Sequence, residues 1–109
     1  MRLITPVHLF ETGDAVSNLH KGLLFLIMDQ PGISDNDRRS LQRQLAPDVK
    51  AESFGMPTFR LVKTWQEQLN SRRDLPDDFK NFLPLVPNGD VDQKTANALN
   101  LLLRHLGAH

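Results

Sequence analysis

The chain of 109 residues contains no cysteine, no tyrosine and a single tryptophan. Without cysteine there is no disulfide scaffold, no thiolate zinc site and no thiol nucleophile. That absence says nothing about compartment, because only a disulfide would report it. Net charge is missing too: 13 Lys and Arg balance 13 Asp and Glu. A balanced surface argues against nucleic acid or an anionic membrane as the main partner. Long apolar runs are absent. The longest, Leu23 to Met28, falls far short of the roughly 18–20 residues that a membrane-spanning helix needs. It also lies behind Glu11, Asp14 and Lys21, too far along the chain for a signal peptide. The chain therefore reads as cytosolic, as exported without a cleaved signal, or as a module of a larger secreted or periplasmic protein.

What is present suits one folded domain over 1–109: 39% hydrophobic residues, with seven prolines that punctuate the chain. The opening, Arg2 to Thr12, reads as extended. A helix is predicted from Asp14 as N-cap, with Val16, Leu19, Leu23, Leu26 and Ile27 on one face, ending before Pro31-Gly32. A second starts at Ser34, with Asp37 completing an approximate capping box, Leu41 and Leu45 as a thin apolar side, and Pro47 as its limit or as the opening of a further short turn. A third starts with Pro57 at its first position and packs Thr58, Leu61, Val62, Trp65 and Leu69. The stretch 71–89 reads as loop with one helical turn around Asp77–Phe82. The last helix starts from Asp92 as N-cap, carries Ala96, Ala98, Leu99, Leu102, Leu103 and Leu106, and stops at Gly107. No strand pattern appears. The expected fold is all-α: a small closed bundle of three core helices, one inserted helix within about 30–50, and an extended N-terminal segment.

Two segments echo each other at an offset of 37 residues. Phe54-Gly55-Met56-Pro57-Thr58 aligns with Val91-Asp92-Gln93-Lys94-Thr95, and Val62, Trp65 and Leu69 then match Leu99, Leu102 and Leu106. Each copy reads as an apolar anchor, a tight turn, a threonine able to satisfy a first-turn amide, and a core-facing helix. The first helix has its own phrase, Gly13-Asp14-Ala15-Val16-Ser17-Asn18-Leu19-His20-Lys21-Gly22-Leu23.

Together these three segments resemble, in order, those of peptidoglycan-binding-like domains. The first is similar to that family's Gly-x-x-Val-x-x-Leu-Gln-x-x-Leu helix. Phe54-Gly55-x-x-Thr58 with Val62 and Trp65-Gln66 resembles its Phe-Gly-x-x-Thr helix. Gly89-Asp90-Val91-Asp92-x-x-Thr95 resembles its closing element. The chain departs from the pattern at His20, where the family has Gln, at Asp92 and Asp90 in the second turn, and in the extra helical segment. The longer link from Asn70 to Asn88 is a further departure. With these departures the chain resembles more closely the divergent members found as modules in bacterial toxin-complex and other secreted or effector proteins. The resemblance implies a non-catalytic module that binds cell-wall glycopeptide and targets an attached domain. The same fold also serves as a protein-packing partner in metalloproteinase pro-segments, so a protein-interaction module without glycan binding is the alternative.

Enzyme chemistry finds little support. His8, His20, His105 and His109 form no metal-ligating pair, and no nucleophile elbow or phosphate loop exists. Asp35/Asp37, Asp77/Asp78 and Asp90/Asp92 each fall at an expected helix start, where capping explains them. Asp90 and Asp92 have calcium-loop spacing, but the other ligands are missing. His20 is placed at a helix seam, and His105 on a polar flank where its cation would suit the helix end. Arg38-Arg39 and Arg72-Arg73 sit beside acids and read as solvated faces. Trp65 could be a sugar-stacking platform, but its match to Leu102 places it mostly in the core. The candidate ligand contacts are Asp14, Arg60, Lys63, Asn88 and Asp90. These are polar groups expected near one end of the bundle, and Arg60 and Lys63 are suited to the carboxylates of a stem peptide. No catalytic residue, metal or cofactor is expected. The partners implied are peptidoglycan or a muropeptide, or else a protein docking on Arg38, Arg39, Gln42 and Arg43.

Overall fold

A computed structural model describes all of residues 1–109. Its elements are α1 (Asp14–Asp29), α2 (Asp35–Ala51), α3 (Met56–Ser71), a short 3-10 turn (Asp77–Asn81) and α4 (Gln93–His105). There is no strand; only the isolated bridges Val7–Val91 and Thr12–Ser53 break the helical pattern. The all-helical bundle expected from the periodicity is therefore what forms.

The core is a single cluster of 22 buried apolar residues. The predicted faces supply most of it: Val16, Leu19 and Leu23 from α1, Val62, Trp65 and Leu69 from α3, Leu99 and Leu102 from α4. Leu106 is only half-buried, because α4 ends just before it and Leu106 takes the cap position. The N-terminal segment contributes more than expected. Ile4 and Val7 are both buried. The Asn100 amide clips Ile4 by accepting from its N–H and donating to its carbonyl, each at 2.8 Å. Gly22 on α1 makes room for this arm, since a methyl group there would lie 2.7 Å from the Ile4 Cδ1.

Helix ends depart from expectation in instructive ways. The cap of α1 is Gly13, at φ 105, not Asp14, which is the first helical residue and has no capping bond. Its negative charge still lies at the positive end of the helix. Pro47 does not stop α2, which continues to Ala51. A proline here leaves the Arg43 carbonyl without its helical donor, but Arg43 and Pro47 are exposed and water can replace it. The last turn is closed instead by Glu52 in a left-handed conformation, whose N–H reaches the Asp48 and Val49 carbonyls. α3 begins at Met56, one residue before Pro57. The Ser34 and Asp92 caps form as expected, accepting from Asp37 N–H at 3.1 Å and Thr95 N–H at 2.7 Å. Gly107 closes α4 in a Schellman motif, with Ala108 N–H to Leu103 O and Gly107 N–H to Arg104 O.

Candidate binding groove

The two echoed turns are built alike but capped differently. Thr58 and Thr95 are both buried, as are their anchors Phe54 and Val91. At Thr95 the capping carboxylate is Asp92, three residues earlier. At Thr58 that place is Gly55, and the carboxylate comes from Asp48 of α2. Its Oδ2 accepts from Gly55 N–H (3.0 Å), Thr58 N–H (2.9 Å) and the Thr58 hydroxyl (2.5 Å). A side chain at Gly55 would collide with that carboxylate, 2.5 Å from Oδ1.

Each threonine is also met by a polar side chain from the preceding core helix. The Gln66 amide donates to Thr95 Oγ1 (3.0 Å) and to the Asp90 carbonyl (2.8 Å), and accepts from Gly89 N–H (2.9 Å). His20 Nε2 lies 2.9 Å from Thr58 Oγ1. The hydroxyl already donates to Asp48, so His20 is the donor and its imidazole is the Nε2–H tautomer. Burial holds the His20 pKa below its ordinary value, against a smaller opposing pull from Asp48. Thr58 and His20 stand at nucleophile–base distance. Thr58 is fully enclosed, however, and its proton is directed at Asp48. The three groups cap a turn.

The five residues expected to contact a ligand fall at separate tasks. Asp14 is exposed and lines an open concavity of about 740 Å³ with Asn18 and Lys21. Arg60 and Lys63 are exposed on α3 and form no ion pair. Asn88 and Asp90 are tied into the second turn. Asn88 Oδ1 accepts from Asp90 N–H at 3.0 Å, and Asp90 Oδ1 accepts from Leu9 N–H at 3.1 Å. Apart from that Asn88–Asp90 bond, no hydrogen bond joins any two of the five. Arg38, expected to be free, has a clear role: its guanidinium donates to the Ile27, Met28 and Gln30 carbonyls and caps the C-terminal end of α1. α1 has no basic residue in its own last turn, so α2 supplies one. Gln42 is also engaged, with Nε2 beside the Met28 sulfur.

A second concavity, of similar volume, lies between α2 and α3. α2 buries only Leu45 and Asp48, both in its second half. Its first half is polar and is held to the end of α1 by Arg38, leaving a groove of about 730 Å³ against α3. Leu61, Trp65 and Gln68 of α3 form one wall; Asp37, Leu41 and Gln44 of α2 form the other. Gln30 to Ile33, just before α2, and Arg72 and Asp74, just after α3 and paired at 3.1 Å, complete the lining. The Asp74 carboxyl is held below its ordinary pKa by hydrogen bonds from Arg72. Two residues of this groove carry the only buried side-chain polar atoms in the protein that lack a hydrogen-bond partner: Trp65 Nε1 and Gln30 Oε1. The sequence signal for it was slight, namely one tryptophan in a chain poor in aromatics.

No protein-family model, no curated protein and no solved structure matches this chain.

Proposed function

We propose that the chain is a non-catalytic recognition module that takes bacterial cell-wall glycopeptide in the α2–α3 groove and so positions an attached or associated domain. One observation carries the reading. An open groove is walled by the only tryptophan, and its lining holds a donor and an acceptor with no partner. Buried polar groups are paired in the great majority of cases, so a pair of orphans in one concavity fits a ligand that completes them. The ordered resemblance of the two threonine turns and the first helix to peptidoglycan-binding-like domains supports the choice of ligand.

The groove is open, and only four of its fifteen lining residues are hydrophobic. Little apolar area would be buried, so affinity is expected on the order of micromolar to millimolar. The test is sedimentation with insoluble peptidoglycan, joined to chemical-shift mapping with a soluble muropeptide. Retention on the polymer with shifts along Leu61, Trp65 and Gln68 supports the reading. Shifts confined to Arg60, Lys63, Asn88 and Asp90, weakened by Arg60→Ala, move the contact to the end of the bundle. No retention and no shifts at millimolar muropeptide overturn it. A protein-interaction module is then the better reading, and exposed Arg43 with Arg39, whose one bond is to neighbouring Asn36, becomes the face to probe.

A further inference from the structure

We infer that the α2–α3 groove recognises a secondary amide, whose carbonyl accepts from Trp65 Nε1–H while its N–H donates to Gln30 Oε1. This names the ligand group on the assumption that the groove is the binding site, as proposed above.

Trp65 and Gln30 are 5% and 8% exposed, so both are more than nine-tenths buried, and both line the groove. Their unpaired atoms are not a product of slack local structure. The Gln30 backbone is clamped at both ends: its N–H donates to the Leu26 carbonyl at 3.0 Å and its carbonyl accepts from Arg38 at 3.0 Å. Trp65 sits mid-helix in α3. Leaving such atoms unpaired is costly, and a ligand that pairs them recovers that cost on binding.

The chemistry narrows the class. The site has one donor to satisfy and one acceptor to satisfy. A carboxylate could accept from the indole but has no proton for Gln30, and it would face Asp37 and Asp74, with Arg72 already engaged by Asp74. An ammonium could serve Gln30 but cannot accept from the indole. A hydroxyl also accepts and donates, but a secondary amide does both with one flat group whose apolar substituent suits Leu61 and the indole face. In wall glycopeptide this group occurs as the N-acetyl of the amino sugars and as the peptide bonds of the stem. The orphan atoms are sealed in the free protein. A ligand therefore reaches them only as the side chains that cover them turn aside.

The test follows the indole N–H resonance, unambiguous because Trp65 is the only tryptophan. The intact protein is titrated in separate arms with an N-acetylglucosamine oligomer, the same oligomer de-N-acetylated, and an unglycosylated stem peptide. A large indole shift with the acetylated oligomer, absent with its de-acetylated form, assigns the amide to the sugar. An equal indole shift with the de-acetylated oligomer would assign the site to a hydroxyl and overturn the amide. A shift with the peptide assigns it to the stem. Trp65→Phe and Gln30→Met should each weaken binding roughly tenfold, and thermal melts verify that both fold. An unmoved indole in every arm at tens of millimolar overturns the inference. If wall polymer is nevertheless retained, the wall-binding reading survives on another face. If the indole responds to amides but the polymer is not retained, the amide site stands and the wall reading fails.

Discussion

Thr58 and Thr95 occupy the same place in two successive turns, yet the carboxylates that cap them come from different distances along the chain. Asp92 is a local cap with one bond to Thr95 N–H. Asp92→Ala should cost about 0.5–2 kcal/mol, read from urea melts. Asp48 is buried and accepts three bonds at the Thr58 turn. Asp48→Ala leaves two backbone N–H groups and a hydroxyl without their acceptor and should cost more than Asp92→Ala, at least about 2–3 kcal/mol. Equal losses would mean that Asp48 is not the cap. His20 gives this turn a pH dependence. Its folded pKa is depressed by burial, so the unfolded chain takes up the proton first as pH falls. Stability is then complete above about pH 6.5 and declines as pH drops toward the lower folded value. His20→Gln should preserve the bond to Thr58, as Gln66 does at Thr95, and should reduce the loss of stability between about pH 7 and pH 5. An unchanged slope in paired denaturant titrations would show that His20 titrates normally. The sequence made the repeated threonines and Asp92 readable because capping is local. Asp48 was not readable, because its partners lie seven and ten residues away in a different helix.

At the scale of elements, helix faces were legible and helix ends less so. Apolar spacing fixes which side of α1, α3 and α4 faces inward, since burial repeats with the helical period. The ends depend on what replaces the missing backbone bonds, and here the replacements are distant. Arg38 of α2 caps α1, and Asn70 clips the link after α3 by bonding both the N–H and the carbonyl of Leu85, at 2.6 and 2.7 Å. Pro47 shows the limit of a breaker rule. A proline interrupts one hydrogen bond and crowds one carbonyl, but an exposed site near a helix end tolerates it when the following turn is held from outside. Pro47→Ala should restore the bond to Arg43 and stabilise the protein by about 1–2 kcal/mol, a sizeable part of the proline penalty offset by a freer unfolded chain. A loss of stability on chemical denaturation would show that the proline ring packs against something. The groove was invisible at this scale. It exists because the thin apolar side of α2 buries only Leu45 against the core, and where a polar half-helix leaves a groove against a neighbour is not encoded in periodicity.

For the whole molecule, the question is which parts share one core. The segments from α1, α3 and α4 were expected to do so, but the N-terminal arm was expected only to be extended. The structure places Ile4 and Val7 at 2% and 0% exposure, joined to the same cluster as Leu99 at 1%. Sequence pattern could not show this, because a short irregular stretch has no period to reveal an inward face. The arm is held by the bridge between Val7 and Val91 and by the Asn100 clip on Ile4. It thereby ties residues at opposite ends of the chain, 96 positions apart, and its burial matters to cooperativity. If the arm is part of the core, truncating it should resemble truncating a helix. Leu99→Ala and Ile4→Ala should each cost about 2–5 kcal/mol, and far-ultraviolet circular dichroism and tryptophan fluorescence should report the same melting midpoint in both variants. A loss within about 0.5 kcal/mol for Ile4→Ala, the range of an ordinary surface change, beside a full loss for Leu99→Ala, would mean that the arm rests on a bundle already complete without it. Ile4 also fills the space left open by Gly22 in the middle of α1, where a methyl group would lie 2.7 Å from Ile4 Cδ1 and 3.3 Å from Leu103 Cδ1. Gly22→Ala therefore separates the cases further. With a docked arm the added methyl crowds Ile4 and cancels the gain of about 0.5–1 kcal/mol that alanine brings to a helix interior; with a detached arm only the milder contact with Leu103 remains, and most of that gain appears.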